Sequence, residues 1–153
     1  MTHSPLYKAL KSLEGEYFKY SLSMAGRWLN YKLVEVSPGA ITAEVEVREE
    51  MTNPVKMLHG GMIAMICDEL CGLALYSKGG NTFYTTINLA VDYLYSAPLG
   101  SKVTVKSSVL RHGKKIANTE CYLYDEHEHI IAHAKSNLVN TDKEIFNLTV
   151  HHS

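Results

Sequence analysis

The sequence has no surplus of charge of either sign. Its 153 residues include 15 basic and 16 acidic side chains, so the formal net charge is −1. Proteins that bind nucleic acids or anionic membranes electrostatically usually carry a clear basic excess. The composition therefore argues against both kinds of partner, and the length fits one globular domain with a substantial core.

Cysteines and long apolar runs are also scarce. The three cysteines, Cys67, Cys71 and Cys121, form no Cys-x-x-Cys pair, and an odd, scattered set is more typical of reduced thiols in the cytoplasm than of a disulfide framework. No apolar run reaches the roughly 20 residues that span a bilayer. The N-terminal stretch MTHSPLYKALKSLEGE lacks the apolar core of a secretion signal. We therefore expect a cytoplasmic protein without a membrane partner.

Alternating apolar and polar residues predict strands in two parts of the chain. In ITAEVEVREE, residues 41–50, every second residue up to Val47 is apolar, which is the pattern of a half-buried strand. Pro38-Gly39 precedes it and indicates a hairpin turn. The predicted strands are Tyr31–Val36, Ile41–Glu49, Phe83–Tyr95, Lys102–Leu110, Ile116–Tyr124 and Ile130–Val139.

A long apolar segment between the second and third strands, Met62–Ser77, predicts a helix that ends at Gly79-Gly80-Asn81. Apolar residues cover nearly all of its sides, so the helix must be buried all round. A single flat sheet can cover only one face. The pattern therefore predicts an α+β domain in which five to six antiparallel strands wrap around one central helix, within an obligate dimer.

The two ends of the chain have weaker patterns. Leu6–Leu13 and Glu16–Met24 indicate short helices. We therefore divide the chain into an N-terminal helical extension, residues 1–30, a main domain, residues 31–141, and a C-terminal tail, residues 142–153.

Two adjacent acids, Asp68 and Glu69, interrupt the apolar helix. Neighbouring helical residues project about 100° apart, so the two carboxylates cannot serve one site equally. Asp68 shares its face with small residues such as Gly72, which leaves room for a ligand. A carboxylate beside such a cleft suits general-base or nucleophilic chemistry. A buried ion pair or a backbone hydrogen bond remains the alternative role, and it fits Glu69 better than Asp68.

The helix opens with His59-Gly60-Gly61. The first turn of a helix has free N–H groups, and glycines let a substrate oxygen approach them closely, so this junction suits an oxyanion hole. Asp68 lies roughly 10–12 Å further along the helix. Both features can act on one carbonyl only if they come from different subunits. The alternative is an ordinary loop-to-helix junction.

The pattern N-P-x-x-x-L-H-G-G-x-x-x-x-x-x-D, which begins at Asn53 and ends at Asp68, resembles the signature of hotdog-fold acyl-CoA thioesterases, in particular the PaaI-like and thioesterase superfamily member 2 group. The resemblance extends from about Tyr31 to Thr141. It implies hydrolysis of an acyl-CoA or aryl-acyl-CoA to CoA and free acid, with no cofactor. It also implies a dimer, which in this family often pairs into a tetramer.

The resemblance also implies a role for each matching residue. Asp68 would activate water or attack the thioester carbon, and Thr86, or alternatively Thr85, would position the water. From the other subunit, the Gly60 N–H would polarise the thioester carbonyl, with Gly61 beside it. Two further side chains complete that half: Asn53, which would hold the carbonyl or the water, and His59, which would orient the thioester near its sulfur.

The turn Arg111-His112-Gly113-Lys114-Lys115 falls where this family contacts the CoA phosphates, and its basic side chains suit that role. The alternative for this turn is a solvated hairpin with Gly113 at a positive φ. The N-terminal extension has no firm counterpart in the family, and lining the acyl end of the site is one role open to it.

Other functions have weaker support. A non-catalytic acyl-CoA-binding protein is the main alternative, and the presence of Asp68 favours catalysis over it. A hydroxyacyl-thioester dehydratase would resemble a different motif with a histidine base. The histidines at 127, 129 and 133 lack a cysteine partner, so we expect no metal site, and His151-His152 reads as part of the tail. No Gly-x-Ser-x-Gly motif supports a serine nucleophile.

Overall fold

The computed structural model describes residues 3–145, and the histidine pair near the C-terminus lies outside this range. In this part of the chain, three α-helices, one short 3-10 turn and six strands follow one another. Their bounds are α1 Pro5–Lys11, α2 Met24–Leu29, β1 Lys32–Ser37, β2 Ala40–Glu46, the 3-10 turn Glu49–Met51, α3 Gly60–Ser77, β3 Thr82–Tyr93, β4 Lys102–His112, β5 Ile116–Tyr124 and β6 Ile130–Glu144.

The six strands form one sheet in the order β1-β2-β4-β5-β6-β3, and all neighbouring pairs are antiparallel. Along β5 the side chains alternate strictly between buried and half-buried, as expected where one face of a strand packs on a core. The sheet packs this inner face against α3. The α+β class and the wrapped central helix are thus confirmed.

The central helix α3 is held at both ends and along its length. His59 caps its first turn, and Ser77 in its last turn joins it to the β1–β2 hairpin, accepting from the Gly39 N–H at 3.0 Å and donating to the Ser37 carbonyl at 3.0 Å. Its 18 residues are long and apolar enough to cross a membrane by composition alone. In this domain half of that window is buried, so these side chains form the core under the sheet.

The second helix predicted in the N-terminal extension does not form where the sequence pattern places it. A helix over Glu16–Met24 is wrong, because the chain there is extended: the Phe18 N–H donates to the Tyr31 carbonyl at 2.8 Å, and the two aromatic rings pack against each other. Burial of Phe18 outweighs the local helical preference. The helix forms later, as α2, where the Ser23 hydroxyl accepts from the Gly26 N–H and caps it.

The last strand is longer than the sequence pattern indicates. β6 continues to Glu144 instead of ending at Val139, because β3 continues to pair with it, with Thr82 opposite Glu144. The Thr141 hydroxyl also donates to the Phe83 carbonyl at 2.7 Å. These long-range hydrogen bonds extend the strand through polar residues that show no apolar alternation, past the expected domain end at Thr141.

Candidate active site

The Asp68 carboxylate lies on the exposed side of α3, facing β3. The Thr86 hydroxyl donates a hydrogen bond of 2.6 Å to its Oδ1. The second carboxylate oxygen makes no hydrogen bond within residues 3–145. Asp68 and Thr86, which the family resemblance assigns to one subunit, are therefore in contact within one chain. The carboxylate can still accept a proton at Oδ2, and the threonine oxygen can place a water.

A cavity of about 1000 Å³ adjoins this pair. Along α3 its lining begins at Asp68 and ends at Tyr76, and along β3 it includes Thr86 and its predicted alternative Thr85. The opposite wall comes from the N-terminal segment, which we define as residues 6–23, and from the end of β6. The carboxylate thus stands at one end of the helical stretch that lines the cavity.

Glu69, the second acid, connects the N-terminal segment to α3. Its Oε1 accepts hydrogen bonds from the Ser21 hydroxyl at 2.6 Å and the Tyr31 hydroxyl at 3.2 Å. Burial raises the pKa of Glu69, and the neighbouring charge of Asp68 adds to the rise. A Cβ at Gly26 would overlap this carboxylate and the Ser21 hydroxyl, so a side chain there would force both groups to shift. Glu69 therefore has a structural position, distinct from that of Asp68.

His59 combines a structural bond with an available donor. Its Nδ1 accepts the Gly61 N–H at 2.8 Å, so the neutral ring carries its proton on Nε2. The ring is exposed, and Nε2–H makes no hydrogen bond to another described residue. The Gly61 N–H is thus occupied by this cap, whereas the Gly60 N–H has no partner within the described chain. Of the two glycines, Gly60 is the one with a donor for a substrate oxygen.

Tyr93 at the end of β3 contacts the start of α3, a contact that the sequence did not indicate. Its hydroxyl donates to the Gly60 carbonyl at 3.0 Å, and its ring lies so close that a Cβ on Gly60 would meet it at 3.3 Å. The contact joins β3 to the start of α3. It is one of 10 tyrosines in the chain, and no local pattern distinguishes it, because the contact spans 33 positions.

Asn53 shapes the loop that leads to α3. Its Oδ1 accepts the N–H groups of Val55 and Met57, both at 3.1 Å, in an Asx-type turn. The Asn53 side-chain amide nitrogen makes no hydrogen bond to the rest of the described chain. The residue therefore fixes the loop with its oxygen and leaves two N–H donors for a ligand.

The two halves of the predicted site are far apart within one chain. Gly60 and Asp68 both belong to the same uninterrupted helix. Eight residues at 1.5 Å each separate them by roughly 12 Å along the axis. One thioester carbonyl cannot contact both groups of a single chain.

The basic turn lies between β4 and β5 and adjoins the cavity through Tyr84. The Tyr84 hydroxyl donates to the Gly113 carbonyl at 3.2 Å and lies 3.3 Å from Nε2 of His112. Burial, together with the charge of Lys78, lowers the pKa of His112. Gly113 does not have a positive φ, so that part of the alternative interpretation is wrong. Glycine is needed because a Cβ would lie 2.6 Å from the Ile116 carbonyl oxygen.

The remaining basic side chains of the turn are unpaired. Within residues 3–145, no ion pair or side-chain hydrogen bond involves the cationic groups of Arg111, Lys114 or Lys115. Three cations in and beside one turn are therefore available for an anionic ligand.

The histidines and cysteines of residues 3–145 are not grouped as a metal site. His129 contacts Asp125 at 2.9 Å, and His133 contacts Glu120 at 3.2 Å. In the described part of the chain, no group of three or more His, Cys, Asp or Glu residues is placed to hold a metal ion. All three cysteines are free and buried.

An antiparallel six-stranded sheet wrapped around one long central helix is the architecture of the hotdog fold. Residues 56–132 match the family model described as "Thioesterase superfamily". The chain belongs to this superfamily.

Individual relatives agree with this assignment. The chain is 32% identical over 87 residues to human acyl-coenzyme A thioesterase 13, and the match covers 57% of this chain and 62% of that relative. The solved structure of mouse thioesterase superfamily member 2 superposes with a TM-score of 0.74 at 24% identity, covering 89% of this chain and 98% of that chain. A hypothetical thioesterase from Streptococcus pneumoniae, solved with coenzyme A, superposes with a TM-score of 0.71 at 20% identity, covering 75% of this chain and 88% of that chain. At these identities the two structures establish the fold.

Proposed function

We propose that this protein hydrolyses an acyl-CoA or aryl-acyl-CoA thioester to CoA and free acid. The observation that carries the proposal is the Thr86–Asp68 hydrogen bond of 2.6 Å beside a large cavity. The names of relatives support it, since one is an acyl-coenzyme A thioesterase and another was solved with coenzyme A.

The proposed reaction uses Asp68 as a general base. Thr86 donates to Oδ1 and so fixes the carboxylate, and Oδ2 takes a proton from a water that the Thr86 oxygen helps to place. The water oxygen bonds to the thioester carbon, and the tetrahedral intermediate then breaks its C–S bond. The proton held by Asp68 passes to the departing thiolate. The chemistry requires only substrate, water and protein groups, and therefore no cofactor.

The oxyanion of the intermediate would be stabilised by donors from a second subunit. The Gly60 N–H would bind the oxyanion, the Asn53 amide would hold the carbonyl or the water, and the Nε2–H of His59 would orient the thioester near its sulfur. All three groups are without partners in the described chain. Gly60 lies roughly 12 Å along the helix from the Asp68 of its own chain, so a two-fold arrangement would bring the start of α3 to the Asp68 of the partner.

The edge strand β3 offers a surface for such a dimer. It is 12 residues long and, within residues 3–145, pairs only with β6, so its outer edge presents backbone groups that no described strand pairs. Apolar side chains are unusually exposed along it, with Ile87 58% and Tyr93 54% accessible. Self-pairing of β3 would complete the sheet across the dimer, and the family resemblance extends this to a dimer of dimers.

The CoA moiety would be held by the basic turn. Arg111 and Lys114 have cationic groups without partners in the described chain, and Tyr84 links the turn to the cavity wall. Charge-assisted hydrogen bonds from such groups suit phosphates. We also propose a cytoplasmic location, which the three free cysteines support.

The test of this function is a thiol-release assay over acetyl-, phenylacetyl-, octanoyl- and dodecanoyl-CoA with the parent protein and Asp68→Asn. We expect turnover by the parent and a loss of about 10²–10⁴-fold in kcat for the variant, because the amide cannot act as a base. Glu46→Gln is the matched control, since Glu46 is an exposed acid on β2, away from β3 in the sheet order. Binding of acyl-CoA without turnover would instead identify a non-catalytic binding protein.

A further inference from the structure

Gly72 is an unexpected residue in the middle of α3. A glycine inside a helix costs roughly 0.5–1 kcal/mol relative to alanine, so it usually has a steric reason. At Gly72 there is none in the described chain, because a Cβ would have no neighbouring heavy atom within 4 Å. This contrasts with Gly26, where a Cβ would collide with Glu69. Gly72 therefore leaves a space that no described protein group fills.

That space belongs to the cavity beside the catalytic pair. Gly72 lines it, together with Asp68 one turn earlier on α3 and Tyr76 one turn later. Residues four apart lie on one face of a helix, so the gap at Gly72 continues directly from the carboxylate. A substrate carbonyl at Asp68 would direct its acyl group along this face.

The walls of the cavity suit an apolar group. Beside the charged groups of Asp68, Glu69 and Lys143, aromatic and aliphatic side chains line it from four parts of the fold: Leu10 and Phe18 of the N-terminal segment, Leu73 of α3, Phe83 of β3, and Leu138 of β6. The N-terminal segment is held in place by the Ser21–Glu69 hydrogen bond. The cavity's volume of about 1000 Å³ lies at the top of the range of roughly 300–1000 Å³ that is common for small-molecule sites.

We propose that this cavity is the acyl pocket, that Gly72 is a specificity-determining residue, and that the preferred substrates carry a large apolar acyl group. The proposal rests on the proposed thioesterase function and adds the substrate class. An acetyl group would reach few of the apolar walls, whereas each further methylene buried in the pocket raises kcat/KM by about fourfold, the factor that corresponds to ~0.8 kcal/mol.

The test measures kcat/KM for acetyl-, butanoyl-, octanoyl- and dodecanoyl-CoA with the parent, Gly72→Ala and Gly72→Phe. The parent is expected to improve with chain length. Gly72→Phe fills the gap, so it should lower kcat/KM for dodecanoyl-CoA at least tenfold more than it lowers kcat/KM for acetyl-CoA. Gly72→Ala is the matched control, with a helix-favouring side chain too small to block the pocket. If Gly72→Phe does not fold, as judged by circular dichroism, Gly72→Leu replaces it.

Two results would overturn the proposal: acetyl-CoA hydrolysed as efficiently as dodecanoyl-CoA by the parent, or an equal loss for every chain length in Gly72→Phe. If the parent hydrolyses no acyl-CoA, the proposed function fails, and the pocket is tested by calorimetric titration with dodecanoate. Binding by the parent that is lost in Gly72→Phe would support an acyl pocket. Absence of binding by the parent would refute it.

Discussion

At the scale of single residues, the two adjacent acids of α3 differ in what surrounds them. Asp68 is exposed and accepts one hydrogen bond from Thr86. Glu69 is mostly removed from water and accepts two, from Ser21 and Tyr31. A rotation of about 100° between neighbouring helical residues is enough to direct one carboxylate to Thr86 of β3 and the other to Ser21 of the N-terminal segment.

The raised pKa of Glu69 predicts a pH-dependent stability. In the unfolded chain its carboxyl returns to the ordinary value of 4.5, so above that pH the folded state holds the proton more tightly than the unfolded state. The contribution to stability is therefore complete below pH 4.5 and is lost as the pH rises through the raised pKa. Glu69→Gln removes the titration and keeps an acceptor oxygen for Ser21 and Tyr31.

Urea unfolding of the parent and of Glu69→Gln at a series of pH values measures this effect. The free energy of unfolding of the parent, relative to the variant, should decrease as the pH is raised. If the free energies of unfolding of the two proteins change with pH in parallel, the pKa of Glu69 is not raised in the folded state and the prediction is wrong.

At the scale of elements, the contact between α2 and α3 depends on one missing side chain. Gly26 of α2 lies against Glu69 of α3 so closely that an added Cβ would overlap its carboxylate. Helix propensity alone would favour alanine at this position by roughly 0.5–1 kcal/mol. An added methyl group would push the Glu69 carboxylate and the Ser21 hydroxyl out of their shared hydrogen bond, so packing between the elements opposes the helix propensity.

Gly26→Ala should therefore destabilise the protein by about 1–3 kcal/mol, the usual cost of overpacking. Gly72→Ala is the internal control, because it adds the same methyl group to a helix where no atom opposes it, and it should raise stability slightly. Chemical unfolding of both variants measures the difference. A Gly26→Ala protein as stable as Gly72→Ala would contradict the close α2–α3 contact.

The elements themselves were largely predictable, because their signals are local. Periodicity predicted β5 with both of its ends, and the apolar run predicted α3 apart from its first two residues, Gly60 and Gly61. The prediction was wrong for Glu16–Met24, where Phe18 is buried against Tyr31. The Asp68–Thr86 contact was foreseen only through the family resemblance, and the roles of both residues remain predictions. The Tyr93–Gly60 and Ser21–Glu69 contacts depend on the tertiary fold and had no signal in the local sequence.

At the scale of the whole molecule, the proposed active site requires two chains. The donors at the start of α3 and the carboxylate of Asp68 lie at separate points of one rigid helix. A two-fold dimer through β3 would bring the donors at the start of α3 of each chain to the Asp68 carboxylate of the other chain. Each dimer would then hold two equivalent sites, each with an oxyanion donor from one subunit and a base from the other.

Two variants disable the two halves separately. Asp68→Asn removes the base. Gly60→Pro removes the proposed oxyanion donor, and proline is well tolerated at the first position of a helix, where its missing N–H leaves no intrahelical bond unmade. His59 before it already has φ −65° and ψ 138°, which a following proline accepts. Gly60→Ala is the matched control, since it adds a side chain beside Tyr93 but keeps the N–H.

The most direct measurement of the shared site is the thiol-release activity of a co-expressed equal mixture of Asp68→Asn and Gly60→Pro chains, compared with each variant alone. Half of the randomly formed dimers contain both chains, and each of these has one intact site of two, so the mixture should regain about one quarter of the parent activity. Gly60→Ala alone should remain active. Activity of the mixture no higher than that of the two variants alone would contradict a site built from two subunits.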